Sequence, residues 1–203
     1  MGSMVTKFPN DKSLVQAYTV DRLSTMIVSV MEAIGNDEEL FKLLYYTNDN
    51  SLGVDLAKDT KGKEAFEKKH IYKHGNAEQR IEPYPFSTTL QTSHECFVRC
   101  YFNQGNLEDS EYWVKSQMHI DIICSHGLWL TSDKTKKIKI VRPYAILSRI
   151  MNILRDSDKE NKLPQPTGYQ HFTVNEKFEC IRLYANTSSL EDGTEDMMSI
   201  SYE

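Results

Sequence analysis

The sequence predicts an α+β fold: an antiparallel sheet of about four strands packed against two main helices, with a long loop or arm between the first helix and the sheet. Three observations predict it. Residues 13–34 and 142–156 space their apolar side chains three and four apart, the signature of a helix with one buried stripe. The segments "ECFVRCYF", "WVKSQMHIDIIC" and "YQHFTVNEKFECIRLYA" are instead rich in β-branched and aromatic residues or alternate with a period of two. Residues 47–90 follow neither period.

The first stripe consists of Leu23, Met26, Ile27, Val30, Met31 and Ile34, with Asp21 near the start of the helix and Gly35 as its stop. In "NDEELFKLLYY", Asn36 or Asp37 caps a short second helix that carries Leu40, Phe41, Leu43 and Leu44, and "TNDNSLG" is turn chemistry. From 47 to 90 come charges, glycines and paired prolines with isolated apolar anchors: Ile71, Tyr72, Ile81, Tyr84 and Phe86. Too few for a core of their own, these anchors predict an arm that docks on a neighbour.

Two long strands, "ECFVRCYF" and "WVKSQMHIDIIC", flank the polar loop "NQGNLEDSEY" and predict an antiparallel pair. "LWL" is a short apolar run, and "TSDKTKKIKIV" reads as a hairpin turn with a short strand. In "RPYAILSRIMNILRD", Pro143 suits the first helical turn, where its missing N–H is no loss, and Ile146, Leu147, Ile150, Ile153 and Leu154 form the buried face. "SDKENKLPQPTG" ends that helix, a last strand or hairpin follows, and 186–203 is a polar acidic tail. The expected organisation is a single domain over 1–203.

Composition narrows the function. A net charge of -5 argues against a dedicated nucleic-acid binder, whose affinity for phosphate needs clustered Lys and Arg. Cys96, Cys100, Cys124 and Cys180 form no CxxC pair, which excludes zinc-ribbon and thioredoxin-like motifs and predicts buried thiols in a reducing compartment. No apolar run approaches the roughly 20 residues of a membrane span. "MGSMVT" matches an N-myristoylation pattern through Gly2 and Thr6, and reads more simply as an expression scar before Met4.

The densest cluster of reactive side chains lies in "QMHIDIICSHGLWL". On a strand, His119, Asp121, Ile123 and Ser125 share one face, and Met118, Ile120, Ile122, Cys124 and His126 share the other. The possible ligands split two and two, short of the three or four that a zinc site needs. With His94, His171 or Glu95 from neighbouring strands, His119 and Asp121 would supply half of a metal-dependent hydrolase or nuclease site. The polar face of a half-exposed sheet accounts for the same letters, and Cys124 reads as a small core residue. Lys134, Lys136, Lys137 and Lys139 in "KTKKIKI" either meet phosphate or an acidic partner or solvate a hairpin. "EDGTED" lacks the rest of a calcium loop, and GxGxxG, P-loop, GxSxG and HExxH motifs are absent. The expectation is a protein that is not an enzyme, with no catalytic, cofactor or metal residues.

The element order, together with "LFKLLYYTNDNSLGVDL", "RIEPYPF", "MHIDIIC" and "VRPYAILSRIMNIL", resembles the tail-terminator or tail-completion proteins of tailed bacteriophages of Gram-positive hosts. The likeness spans roughly residues 20–185. It implies a structural virion protein of the neck or tail, made in the host cytoplasm, that forms a ring, typically hexameric. Such a ring terminates the tail tube or joins it to the head connector, and DNA crosses its lumen without sequence-specific binding. The arm at 47–90 and the acidic tail depart from the simplest version of that pattern.

Overall fold

A computed structural model describes residues 12–85, 95–107, 114–133, 138–156 and 163–186. Gly2, Thr6, Phe86, His94, Lys134, Lys136, Lys137 and the tail beyond Asn186 lie outside the described residues.

Helix α1 spans Lys12–Gly35 and buries Val30, Met31 and Ile34, the end of the predicted stripe. It stops at a glycine that also makes room: a Cβ on Gly35 would overlap the Tyr72 ring. Helix α2, Glu38–Tyr45, buries Leu40, Phe41, Leu43 and Leu44. Asp37 caps it, Oδ1 accepting from Leu40 N at 2.8 Å, and Glu38 and Glu39 complement the positive end of the helix dipole. The same carboxylate accepts from Arg149 Nε at 2.9 Å, so the cap of α2 is pinned to helix α4, Arg142–Asp156. Pro143 is the second residue of α4, and Ile146, Leu147, Ile150 and Leu154 form its buried face.

The main sheet has five strands rather than about four, and it is mixed. Its order is β1-β2-β3-β7-β6, with β1 Ile81–Glu82, β2 Cys96–Leu107, β3 Val114–Ser125, β6 Gln165–Thr173 and β7 Phe178–Asn186. Strand β1 runs parallel to β2, and the other pairs are antiparallel. Strands β4, Leu130–Asp133, and β5, Ile138–Val141, form a separate two-stranded sheet that leads into α4. The segment predicted as a loop after Phe102 continues β2 to Leu107 past a bulge between Phe102 and Gln104, and Asn186, expected in the tail, ends β7.

Residues 47–85 are not a structureless arm. They hold a 3₁₀ turn at Ser51–Gly53, helix α3 at Thr60–Glu67 and strand β1, and they place Leu56, Ala65, Ile71 and Ile81 in the main core. Asp59 caps α3, Oδ1 accepting from Gly62 N at 3.2 Å and Oδ2 from Tyr46 OH at 2.6 Å. Gly62 is required there because a Cβ would collide with the Tyr46 hydroxyl.

The core lies between one sheet face and the helices. Cys96, Val98 and Cys100 of β2, Met118, Ile120, Ile122 and Cys124 of β3, and Ile181, Leu183 and Ala185 of β7 meet side chains of α1, α2 and α4. Fully burying each large apolar side chain contributes on the order of 1.5–3 kcal/mol. Arg142 is buried among them, with Nη1 donating to Leu43 O at 3.0 Å and Tyr46 O at 2.6 Å and Nη2 donating to Asn48 O at 2.6 Å. A guanidinium in this position ties together the backbone of the α2 exit and gives the buried Leu43 carbonyl a donor.

Candidate functional site

The second sheet face carries the predicted polar residues in rows set by the register. Phe97, Ile123, Cys180 and Phe172 form an apolar row; Arg99, Asp121, Arg182 and Gln170 a charged one; Tyr101, His119 and Tyr184 an aromatic one. Parity placed His119, Asp121, Ile123 and Ser125 together, and they are together. The face is not half-exposed, however: His119 and Asp121 are 7% and 4% accessible.

Burial is tolerated because the charges are matched. Arg182 donates from Nε to Asp121 Oδ1 at 2.6 Å and from Nη2 to Oδ2 at 2.8 Å, and Tyr101 OH donates to the same Oδ2 at 2.8 Å. Arg99 pairs with Glu82 at 2.6 Å and lies over the rings of Phe97 and Tyr84. Arg80 pairs with Glu95 at 2.8 Å. His119 sits edge-on between Tyr101 and Tyr184, and its Nδ1 has no hydrogen-bond partner among the described residues. Burial first, then the charge of Arg182, holds this imidazole below its usual pKa, which favours its neutral form.

Among the described residues the hydrolase constellation is not assembled. Both Asp121 oxygens are taken by Arg182 and Tyr101, Glu95 is paired with Arg80, and His171 lies elsewhere, bonded to Glu179 at 3.2 Å. Among the described residues no three His, Cys, Asp or Glu side chains are placed to hold a metal ion. Cys124 is a buried core residue, its thiol pushed well above its usual pKa by burial.

The accessible features gather along strand β6. It is the last strand of the sheet, and from Gln165 to Thr173 it contains no Lys, Arg, Asp or Glu. Natural edges are blunted by such charges, by proline or by bulges. Here Pro166 and the irregularity between Pro166 and Gly168 protect only the first end. Val174 N donates to Phe178 O, which makes 174 and 178 a hydrogen-bonded pair. Because such pairs alternate, Tyr169, His171 and Thr173 turn their backbone N–H and C=O groups outward.

Tyr169, 56% exposed, meets Tyr144 edge-on, while His171 stacks on Trp129 at 5.7 Å. Glu179 is bonded to both His126 and His171, each at 3.2 Å. Its burial opposes ionisation, and hydrogen bonds from His126 and Thr173 with the charges of both histidines prevail, holding the carboxyl below its usual range. Beside this group a cleft of about 500 Å³ is lined by Asp49, His126, Gly127, Trp129, Leu130, Thr131, Ser132 and Lys139.

The predicted docking anchors separate. Ile71 and Ile81 are buried core residues and cannot meet a partner, because the helical and strand segments around them fold onto the sheet. Tyr72 packs against the core beside Gly35, and Tyr84 remains exposed. Lys139 is exposed at the cleft. The accessible strand β6, with Trp129 stacked on His171 beside it, is not among the elements that the sequence singles out. The charge-free run "QPTGYQHFT" was the available signal.

Fold and surface together define an α+β protein whose accessible chemistry is a sheet edge ringed by aromatic side chains, with its ionic network turned inward. The chain belongs to the YomW family, whose model matches residues 37–187, from the Asp37 cap just past the end of β7. That family name is phage-associated and supports a phage-related protein. No curated protein matches the chain. Among the described residues no helix is long and apolar enough to cross a membrane.

Proposed function

We propose that the chain is a structural protein of a bacteriophage particle that assembles head to tail into a ring in the neck or tail. The observation that carries this reading is that, among the described residues, two different edges of the main sheet are open. On one side, Tyr169, His171 and Thr173 of β6 present unpaired backbone groups. On the other, β1 pairs only with the start of β2, at Val98 and Arg99, so among the described residues β2 has no outer partner from Tyr101 to Leu107. Two unlike edges make a heterologous contact, and heterologous contacts that close generate rings. Strand addition supplies main-chain hydrogen bonds of roughly 0.5–1.5 kcal/mol each, and exposed Tyr169 and Tyr144 supply apolar area beside them.

The mechanism is geometric rather than chemical. The ring, hexameric as the tail-terminator resemblance implies, terminates the tail tube or joins it to the head connector, and DNA crosses its lumen without base readout. The partners are further copies of the chain and the adjoining neck and tube proteins, and the location is the virion after synthesis in the host cytoplasm. The hydrolase alternative has less support, because Asp121 is already occupied by Arg182 and Tyr101.

Native mass spectrometry of two variants tests the proposal. Tyr169→Pro removes an outward N–H without touching the ladder to β7, and Tyr169→Ser keeps that N–H while removing the ring. The expected result is a folded monomer for Tyr169→Pro and a weakened but detectable ring for Tyr169→Ser. A ring of unchanged stability in Tyr169→Pro overturns the edge-pairing reading.

A further inference from the structure

We infer that Cys96 and Cys124 are a paired redox site, two thiols placed to close into a cross-strand disulfide when the chain meets a two-electron oxidant. The register puts the two residues directly opposite each other in the β2–β3 ladder, on the core face of the sheet. Ser125 N donates to Glu95 O at 3.1 Å, which makes 95 and 125 a hydrogen-bonded pair and, by alternation, makes 96 and 124 a non-hydrogen-bonded one. Cα atoms in such pairs lie about 4.5 Å apart with side chains turned toward each other, inside the range of roughly 4.4–6.8 Å that a disulfide spans.

The other two thiols are not so placed. Cys100 faces Ile120, and Cys180 faces Ile123 and lies on the opposite sheet face. Selectivity therefore follows from register, not from exposure, since all four cysteines are buried. Access comes from the position of the pair in the ladder. Cys96 is the first residue of β2, and Cys124 is the last but one of β3, so the pair sits at the end of the β2–β3 ladder, where local opening begins. Local opening of this kind requires far less than global unfolding.

The oxidant is a small diazene such as diamide, or a low-molecular-weight disulfide. With diamide, the Cys124 or Cys96 thiolate adds to the N=N bond, and the second thiolate displaces it with formation of the S–S bond. The two thiols give up two protons and two electrons, and the diazene becomes the hydrazine. The product staples the start of β2 to the end of β3 and remains open to reduction by thiols. The inference does not depend on the ring proposal.

The test incubates the native full-length protein with diamide, blocks remaining thiols with iodoacetamide after unfolding, and maps peptides by mass spectrometry without reduction. The expected result is one intramolecular link, Cys96 to Cys124, with Cys100 and Cys180 alkylated, and reversal by dithiothreitol. Cys96→Ser and Cys124→Ser should each abolish the link, while Cys100→Ser keeps it. Four alkylated cysteines after prolonged exposure, or a link through Cys100 or Cys180, overturns the assignment. Circular dichroism of each variant confirms that loss of the link is not loss of fold.

Discussion

Arg182 holds Asp121 in a two-point ion pair across the β3–β7 register, Nε to Oδ1 at 2.6 Å and Nη2 to Oδ2 at 2.8 Å. Asp121 thus neutralises a mostly buried cation. Asp121→Ala leaves the guanidinium and the Tyr101 hydroxyl without their acceptor in a mostly buried setting, at a cost of about 2–4 kcal/mol. Urea unfolding measures it, and a loss under about 0.5 kcal/mol contradicts the network. Asp121→Asn, which keeps an acceptor, should lose less.

His119 gives the protein an acid-sensitive face. Burial and the Arg182 charge lower its folded pKa below the unfolded value of 6.5. In the window below about 6.5 the unfolded chain therefore binds a proton that the folded chain refuses. Stability from this residue is full above that pH and declines as pH falls through the window. Melting temperature followed from pH 7 to about 5 should fall more gently for His119→Gln than for the parent chain. Parallel curves would remove His119 as the cause.

Arg142 predicts a large effect from a conservative change. Its fork reaches Leu43 O, Tyr46 O and Asn48 O from a fully buried position. Lysine has one nitrogen and cannot meet all three carbonyls in that geometry, so Arg142→Lys should cost on the order of 2–3 kcal/mol. Thermal unfolding checks this value. A change within about 0.5 kcal/mol would mean that water replaces the lost donors.

Gly35→Ala should destabilise by about 1–3 kcal/mol, the range for overpacking, because the new methyl overlaps the Tyr72 ring. The double variant Gly35→Ala with Tyr72→Leu should recover part of the loss. Additive losses in the double-mutant cycle would show that the two positions do not meet.

These residues also show what was legible in the sequence. Helix α2 was readable because Asp37 and the Leu40, Phe41, Leu43, Leu44 stripe are local signals, and β3 was readable because alternation fixes faces. The ionic network of the second face was not, since the partners of Asp121 lie 20 and 61 residues away and strand parity says nothing of them. Helix α3 escaped notice because "TKGKEAFE" has little apolar content, and it buries Gly62 and Ala65 instead of a leucine stripe. Strand β1, two residues long, is held by its parallel partner and by no pattern of its own. Ile71 and Ile81, read as anchors for a neighbour, had the right chemistry and the wrong destination, because burial by one's own chain and by a partner select the same side chains.

The central claim, that unlike sheet edges join successive copies, is tested most directly by a strand-resolving cryo-electron microscopy map of the purified assembly. The account predicts a closed ring in which β6 of one subunit lies hydrogen-bonded beside β2 of the next, with Tyr169 buried at the contact. A monomer at high concentration, or a ring whose β6 edge remains exposed to solvent, would contradict it.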